Sequence, residues 1–157
     1  MIAVLQRAKQ ASVKAEGTLT GEIGAGLLVL LGVGEGDGEE DAALLAAKIA
    51  KCRIFCDEEG KMNRSVVDVG GGVLVVSNFT LLANYRRGNR PDFLGAAAPD
   101  RANELYLHFV ELLRREVSHV ATGEFGAHME IDLCADGPIT IVMDSNVLKQ
   151  PKRGISS

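Results

Sequence analysis

Two continuous apolar runs stand out along the chain, Gly26-Leu27-Leu28-Val29-Leu30-Leu31-Gly32-Val33 and Gly72-Val73-Leu74-Val75-Val76-Ser77-Asn78-Phe79. Both have strand length and neither alternates, which predicts central strands buried on both faces. The second run ends in polar residues. Residues 2–7 and 11–15 predict two shorter strands, with a turn over residues 17–21. Farther on, Met129, Ile131 and Leu133 alternate with His128, Glu130 and Asp132. That period of two predicts a strand with one face in water. Gly137-Pro138 predicts a break, followed by a last strand over residues 139–143.

Helical spacing appears twice. Ala42, Leu45, Ala46 and Ile49 fall on one face, and Asp37 with Glu40 three residues on resembles a capping box. Early acids (Glu39, Glu40, Asp41) and late bases (Lys48, Lys51) suit the helix dipole. The second helix opens at Pro99, a residue suited to a first turn. It continues through Ala102, Leu105, Tyr106, Phe109, Leu112, Leu113 and Val117. Residues 53–55 predict a short strand and 57–60 a turn. Residues 84–92 read as a polar, basic loop and 146–157 as a loose, polar, basic tail. No internal repeat or interdomain linker interrupts the chain. Seven or so strands with two main helices, not in strict βαβ alternation, predict one α+β domain.

Composition narrows the classes. The chain has 157 residues, 46% hydrophobic and 24% charged, which suits a single soluble domain. Lys and Arg number 17 against 21 Asp and Glu, a net charge of −4. This argues against a nucleic-acid module that works by bulk charge, but leaves room for a local basic patch. No apolar run has the length of a membrane span, and the first residues lack a signal-type pattern. Three cysteines without regular spacing argue against a disulfide framework. Together these predict a reduced, cytoplasmic setting.

Candidate chemistry is sparse. Gly32-Val33-Gly34-Glu35-Gly36-Asp37-Gly38 lacks the following Gly-Lys-Ser/Thr of a phosphate loop, and five acids between Glu35 and Asp41 would repel a phosphate. It reads as a strand-to-helix turn. Cys52, Cys56, Cys134, His108, His119 and His128 are too scattered for a zinc site, so no metal is expected. Ser77 and Thr80 carry hydroxyls at a strand end, but a nucleophile needs a base and none is near in sequence. Their backbone N–H groups could hold an oxyanion. Arg86, Arg87 and Arg90, beside Tyr85 and Asn89, fit a phosphate-backbone contact and a solvated loop equally well. Lys149, Lys152 and Arg153 make a weaker basic tail. Gly137 before Pro138 reads from the bare residues as an ordinary trans turn, and it lets the backbone approach a ligand closely.

Val76-Ser77-Asn78-Phe79-Thr80-Leu81 and Asp136-Gly137-Pro138-Ile139-Thr140 resemble the two signature motifs of the D-aminoacyl-tRNA deacylases. Collinear stretches at residues 21–24, 26–32, 61–63, 88–91 and 123–127 extend the resemblance over residues 1–145, leaving 146–157 outside it. The resemblance implies a homodimer of β-barrel-like subunits, each with two main helices packed outside the barrel and with active sites at the subunit interface. It implies hydrolysis of the ester joining a D-amino acid to the terminal adenosine of tRNA, with glycine mischarged on tRNA for alanine as a second substrate. No metal or organic cofactor, DNA partner or membrane is implied.

Gly137-Pro138 would be cis and reach into the partner subunit's site, where backbone carbonyls exclude an L side chain. Backbone groups around Phe79 and Thr80 would hold the ester carbonyl and oxyanion, with the 2′-hydroxyl of the terminal ribose assisting. Ser77, Asn78, Phe125, Gly126 and Met129 would line the pocket with them, and Arg7 would brace the Gly-Pro loop. Arg86, Arg87 and Arg90 are the candidates for tRNA contact. Two positions depart from the family pattern: Asn78 stands where Gln is usual, and Ile139 where Val is. Two other readings keep the fold: a related deacylase with a trans Gly-Pro that removes certain L-amino acids, and an inert tRNA-binding module.

Overall fold

The computed structural model describes residues 1–152. In chain order the elements are β1 (Ile2–Ala15), β2 (Thr18–Ile23), β3 (Gly26–Gly32), α1 (Glu39–Lys51), β4 (Phe55–Cys56), β5 (Met62–Arg64), β6 (Gly72–Ser77), α2 (Pro99–Glu116), β7 (Val120–Thr122), β8 (Met129–Asp144) and α3 (Ser145–Lys149). The two apolar runs are β3 and β6, paired in parallel from Gly26 opposite Gly72 to Leu31 opposite Ser77. They lie mid-sheet in the order β2-β1-β3-β6-β7, with β8 antiparallel to β1.

Both faces of this pair are covered, which is why neither strand alternates. Leu27, Val29, Leu31, Val73 and Val75 share one core with Leu45 and Ile49 of α1 and Leu105, Phe109 and Leu113 of α2. On the other face Leu28, Leu74 and Val76 meet Ala8, Ala11, Val13 and Ile23. Each fully buried Leu contributes about 2 kcal/mol. The sheet curls so that β2 approaches β7: a Cβ on Gly21 would fall 2.6 Å from the Thr122 carbonyl oxygen. Only glycine permits that approach. His119 Nε2 lies 2.9 Å from the Glu22 carbonyl oxygen beside it. The result is a barrel-like sheet with three helices, an α+β fold.

Several expectations need correction. Residues 2–7 and 11–15 belong to one strand, because β1 passes its polar middle by a bulge. Ala8 opposes Ala135 and Gln10 opposes Cys134, leaving Lys9 extra. The turn predicted over 17–21 shrinks to Glu16 and Gly17, both at positive φ, 47° and 80°. Two such residues close a hairpin, so β2 starts at Thr18. Gly137-Pro138 does not break a strand, because β8 regains its pairing with β1 on either side. Between Gln6–Thr140 and Ala8–Ala135, β1 contributes Arg7 alone while β8 contributes residues 136–139. The Gly137–Pro138 bond is cis, not trans as the bare residues suggested. Nor does β8 keep one wet face, since Ile131 and Leu133 are also 36% and 37% exposed.

The helix caps also differ. Gly38, not Asp37, is the N-cap of α1. Asp41, not Glu40, closes the box, its Oδ2 accepting from the Gly38 N–H at 2.8 Å. Asp37 turns the other way. Its Oδ2 accepts from the Gly34 N–H at 2.6 Å and lies 2.8 Å from the Met1 amino group. The buried Ser145 hydroxyl donates to Asp41 Oδ1 at 2.6 Å and accepts from the Met1 amino group at 2.9 Å. Lys149 Nζ lies 2.8 Å from Asp41 Oδ1. These contacts fold the start of the supposedly loose tail into α3, a third helix where two were predicted. Arg153 lies outside the described residues.

Burial pushes the Asp41 carboxyl up, but hydrogen bonds from Lys149, Ser145 and the Gly38 N–H outweigh that and hold it well below the usual carboxylate range. A carboxyl lowered in the folded state stabilises the fold above its ordinary pKa of 3.8, and that stabilisation is lost as pH falls below it. Asp41→Ala is therefore expected to cost about 3 kcal/mol near neutral pH. Urea titrations from pH 7 to pH 2 should show the gap between the two proteins closing at the acid end.

Candidate active site

The β6 strand is buried to Val76 and emerges at Ser77. There the Asn78 N–H donates to the Leu31 carbonyl at 2.8 Å, the last tie between β6 and β3. The chain then makes a single 3-10 turn, Phe79–Leu82, with Asn78 as its N-cap. Asn78 Oδ1 accepts from the Thr80 N–H at 3.3 Å and from the Thr80 hydroxyl at 2.5 Å. This local side-chain-to-backbone bond is the one short polar side chains make at turns. The Phe79 N–H, first in the turn, has no partner within it.

Beside this turn opens a pocket of 620 Å³. One wall is Ser77, Asn78 and Phe79. Phe93 closes over it, its ring edge-on to Phe79 with centroids 5.2 Å apart and planes at 79°. Phe125, Gly126 and Met129 also line it. Phe125 is backed by Tyr106 at 5.9 Å between centroids. The Tyr106 hydroxyl donates to the Val75 carbonyl at 3.1 Å, and burial pushes its phenol up to about 12, so it stays a neutral donor.

Among the described residues the lining contains no ionisable side chain, and Ser77 and Asn78 are its only side chains with hydrogen-bonding groups. No His, Asp or Glu is placed here to activate Ser77 as a nucleophile. What the site offers is apolar shape, two short polar side chains and backbone dipoles at a turn.

The other predicted residues lie elsewhere. Thr80 is exposed and follows the pocket wall without lining it. Gly137 and Pro138 are exposed on the bulge of β8, outside this pocket. Arg7 supports that bulge: Nε donates to the Asp136 carbonyl at 3.2 Å and lies 3.3 Å from its carboxylate, while Nη1 donates to the Ile54 carbonyl at 2.9 Å. Gly137 sits at φ 128°, where a side chain would strain the backbone, and a Cβ there would fall 2.7 Å from the Ile139 nitrogen. Arg86, Arg87 and Arg90 are exposed on a loop closed by reciprocal bonds between Asn84 and Asp92, 2.8 and 2.9 Å. Among the described residues none of the three arginines enters an ion pair. The structure thus gathers Ser77, Asn78, Phe79, Phe125, Gly126 and Met129, and separates them from the Arg7–Gly137–Pro138 group.

Sequence reasoning missed Phe93 and the small residues Ala96, Ala97 and Ala98, which also line the pocket. The available signal was an apolar run with neither helical nor strand period, placed just before the Pro99 helix start.

The sequence profile of the D-Tyr-tRNA(Tyr) deacylase family matches residues 4–144. A D-aminoacyl-tRNA deacylase of Deinococcus deserti is 59% identical, the match covering 92% of this chain and 99% of the relative. One from Syntrophotalea carbinolica is 56% identical over 93% and 98%. Among solved structures, a c-Myc DNA unwinding element binding protein superposes with a TM-score of 0.87 at 38% identity, covering 92% of this chain and 98% of its own. A probable eukaryotic D-amino acid tRNA deacylase shares the fold, with a TM-score of 0.76 at 17% identity, covering 90% and 97%.

Asn78→Ala removes the cap of the 3-10 turn and is expected to cost about 1 kcal/mol. Amide exchange at Thr80 should quicken, while Asn78→Asp, an equally good cap, should keep it slow. Equal protection in all three proteins would show that the cap does not hold the turn.

Proposed function

The chain belongs to the D-Tyr-tRNA(Tyr) deacylase family, and from that membership we propose that it is a hydrolase cleaving the ester between a D-amino acid and the 3′-terminal adenosine of tRNA. The observation that carries the mechanism is the pocket without ionisable side chains. In such a site the ester carbonyl is held by backbone groups of Phe79 and Thr80, beside Ser77 and Asn78. Water adds to the carbonyl carbon, the carbonyl oxygen becomes an oxyanion facing N–H dipoles, and collapse breaks the bond to the ribose oxygen, which leaves as a hydroxyl with the proton the water gives up. The 2′-hydroxyl of the terminal ribose supplies the assistance that no protein side chain provides. Phe125, Gly126 and Met129 wall the amino acid.

Chirality is selected by exclusion in this reading. Gly137 and Pro138, braced by Arg7, enter the pocket of a partner subunit and leave no room for an L side chain. Two observations support a homodimer. The Gly-Pro bulge is exposed and away from its own pocket. β8 presents Ile131, Leu133 and Val142, the last 69% exposed, with β1 as its one strand neighbour among the described residues. Glycine has no side chain to exclude, so glycine mischarged on tRNA for alanine is a second substrate. Arg86, Arg87 and Arg90 contact the phosphates near the 3′ end. Residues 1–145 are taken as the deacylase domain, onto which α3, at the start of the 146–157 tail, is fastened by Ser145 and Lys149. No described helix is long and apolar enough to cross a membrane, and the cytoplasm, where aminoacyl-tRNA is used, is the proposed location.

The test is hydrolysis of D-tyrosyl-tRNA and L-tyrosyl-tRNA side by side, with and without chelator. Release from the D form alone, insensitive to chelator, is expected. Release from neither, with tRNA still bound, would favour an inert binding module, and release from the L form would favour a deacylase of other specificity.

Two variants probe the roles. Thr80→Ala should keep activity within about tenfold, whereas a loss of roughly 10⁴-fold with the fold intact would make the hydroxyl a nucleophile. Gly137→Ala should admit L substrate or lower D activity, and unchanged rates on both would remove the bulge from the site.

A further inference from the structure

We propose that the groove between α1 and α3 is a second tRNA contact, one that takes the sugar–phosphate backbone away from the 3′ end. The proposal rests on the deacylase reading for its substrate, but the groove is argued from its own geometry. It has a volume of 510 Å³ and brings together Lys48 and Lys51 from α1 with Lys152 from the segment after α3, beside Leu44, Ala47 and Leu148. Among the described residues no carboxylate lines it. Among the described residues none of the three lysines enters an ion pair.

The helix itself offers these lysines no partner. Three and four residues before Lys48 stand Leu45 and Leu44, and before Lys51 stand Lys48 and Ala47, so neither has the acid that usually pairs at this spacing. The acids of α1 are in its first turn, roughly 10 to 18 Å from the two lysines along the axis. The helix dipole accounts for lysines in the last turn of α1. It does not account for Lys152, which comes from another segment. That segment follows α3, which Ser145 and Lys149 fasten to Asp41. The fastening of α3 therefore leads the third cation back to the groove.

A polyanion fits this surface for a further reason. The protein carries a net charge of −4, so a nucleic acid approaches productively only where positive charge is concentrated. The 620 Å³ pocket has room for one end of the substrate and no cation in its lining. Nearly all the phosphates of a tRNA remain outside it. Lysine ammonium groups act as point charges, suited to phosphates rather than to base edges. The Lys51 end of the groove is three residues from Ile54, whose carbonyl anchors Arg7 below the Gly-Pro bulge.

The experiment compares the wild-type protein with the triple variant Lys48→Glu, Lys51→Glu, Lys152→Glu, its fold checked by thermal melting. Each is assayed on D-tyrosyl-tRNA and on a D-tyrosyl ester of adenosine. The expected result is a fall of tenfold or more in kcat/KM on the tRNA, with the adenosine ester unchanged. The slope of log kcat/KM against log salt should also become shallower by about two, for three phosphate contacts. Equal rates on tRNA, or an equal loss on both substrates, would overturn the proposal. Fluorescence anisotropy with uncharged tRNA separates it from the deacylase reading. If the wild type cleaves neither ester, that reading falls, yet weaker tRNA binding by the triple variant still supports the groove and unchanged binding still refutes it. If the variant melts early, the single changes Lys48→Gln and Lys152→Gln are measured in the same way.

Discussion

The parallel pairing of β3 with β6 is the constraint from which the rest of the molecule follows. Parallel strands cannot be joined by a hairpin, so a crossover must cover one face of the sheet. Here it contains α1, with α2 packed beside it. The opposite face is covered by the curl of β1, β2 and β7. With both faces apolar, the pair has no place for a polar side chain until the strand ends. Ser77 and Asn78 stand at that point, and the Asn78 N–H closes the last bond to β3. The polar turn therefore sits where a rigid scaffold stops, and a site placed there inherits the rigidity of the core.

A second node fixes the helices. The Met1 amino group, Asp37, Ser145, Asp41 and Lys149 form one connected set of charges and hydrogen bonds. A buried carboxylate such as Asp41 is tolerated only with several donors, and here the donors come from the helix N-terminus, a buried serine and a lysine of α3. The same set closes the glycine-rich loop: Asp37 accepts from Gly34, which pairs with Ala96 on the far side. Ala96 belongs to the segment that lines the pocket. One polar cluster thus positions α1, α3 and one rim of the site, and its charge explains why an acidic glycine loop is no phosphate cradle.

The sequence made legible what depends on local pattern. Strands β3 and β6 show as uninterrupted apolar runs and α2 as a long amphipathic stripe, because burial on two faces or on one stripe leaves a periodic trace. The continuity of β1 past Lys9, and of β8 past Gly137-Pro138, left no such trace. In each case the strand is held by its neighbour while local residues bulge out, a tertiary effect that overrides composition. The cap shifted from Asp37 to Gly38 because Asp37 is drawn off by the Met1 amino group, a contact between distant elements. Among the candidate site residues, the polar strand end was visible as a change of character within one run. Phe93 was not, since its place against Phe79 depends on how a loop without period folds back.

The pocket shows why shape rather than side-chain chemistry would set its selectivity. On the proposed reading, with no acid or base in the lining among the described residues, rate enhancement comes from dipoles already aimed and from the substrate's own hydroxyl, and the site discriminates through space rather than protonation. Space is defined most sharply by backbone, which does not change rotamer. Asn78 matters in that light. Its amide oxygen is occupied by the N–H and hydroxyl of Thr80. A glutamine, one methylene longer, would close a larger ring onto the same groups and hold the turn less tightly. The shorter side chain thus gives up reach into the pocket and gains a fixed turn. On the proposed reading this leaves the unpaired Phe79 N–H as the donor best placed to meet an incoming carbonyl. Thr80 then acts through its backbone and the geometry that the Asn78 cap imposes, rather than through its hydroxyl as a nucleophile.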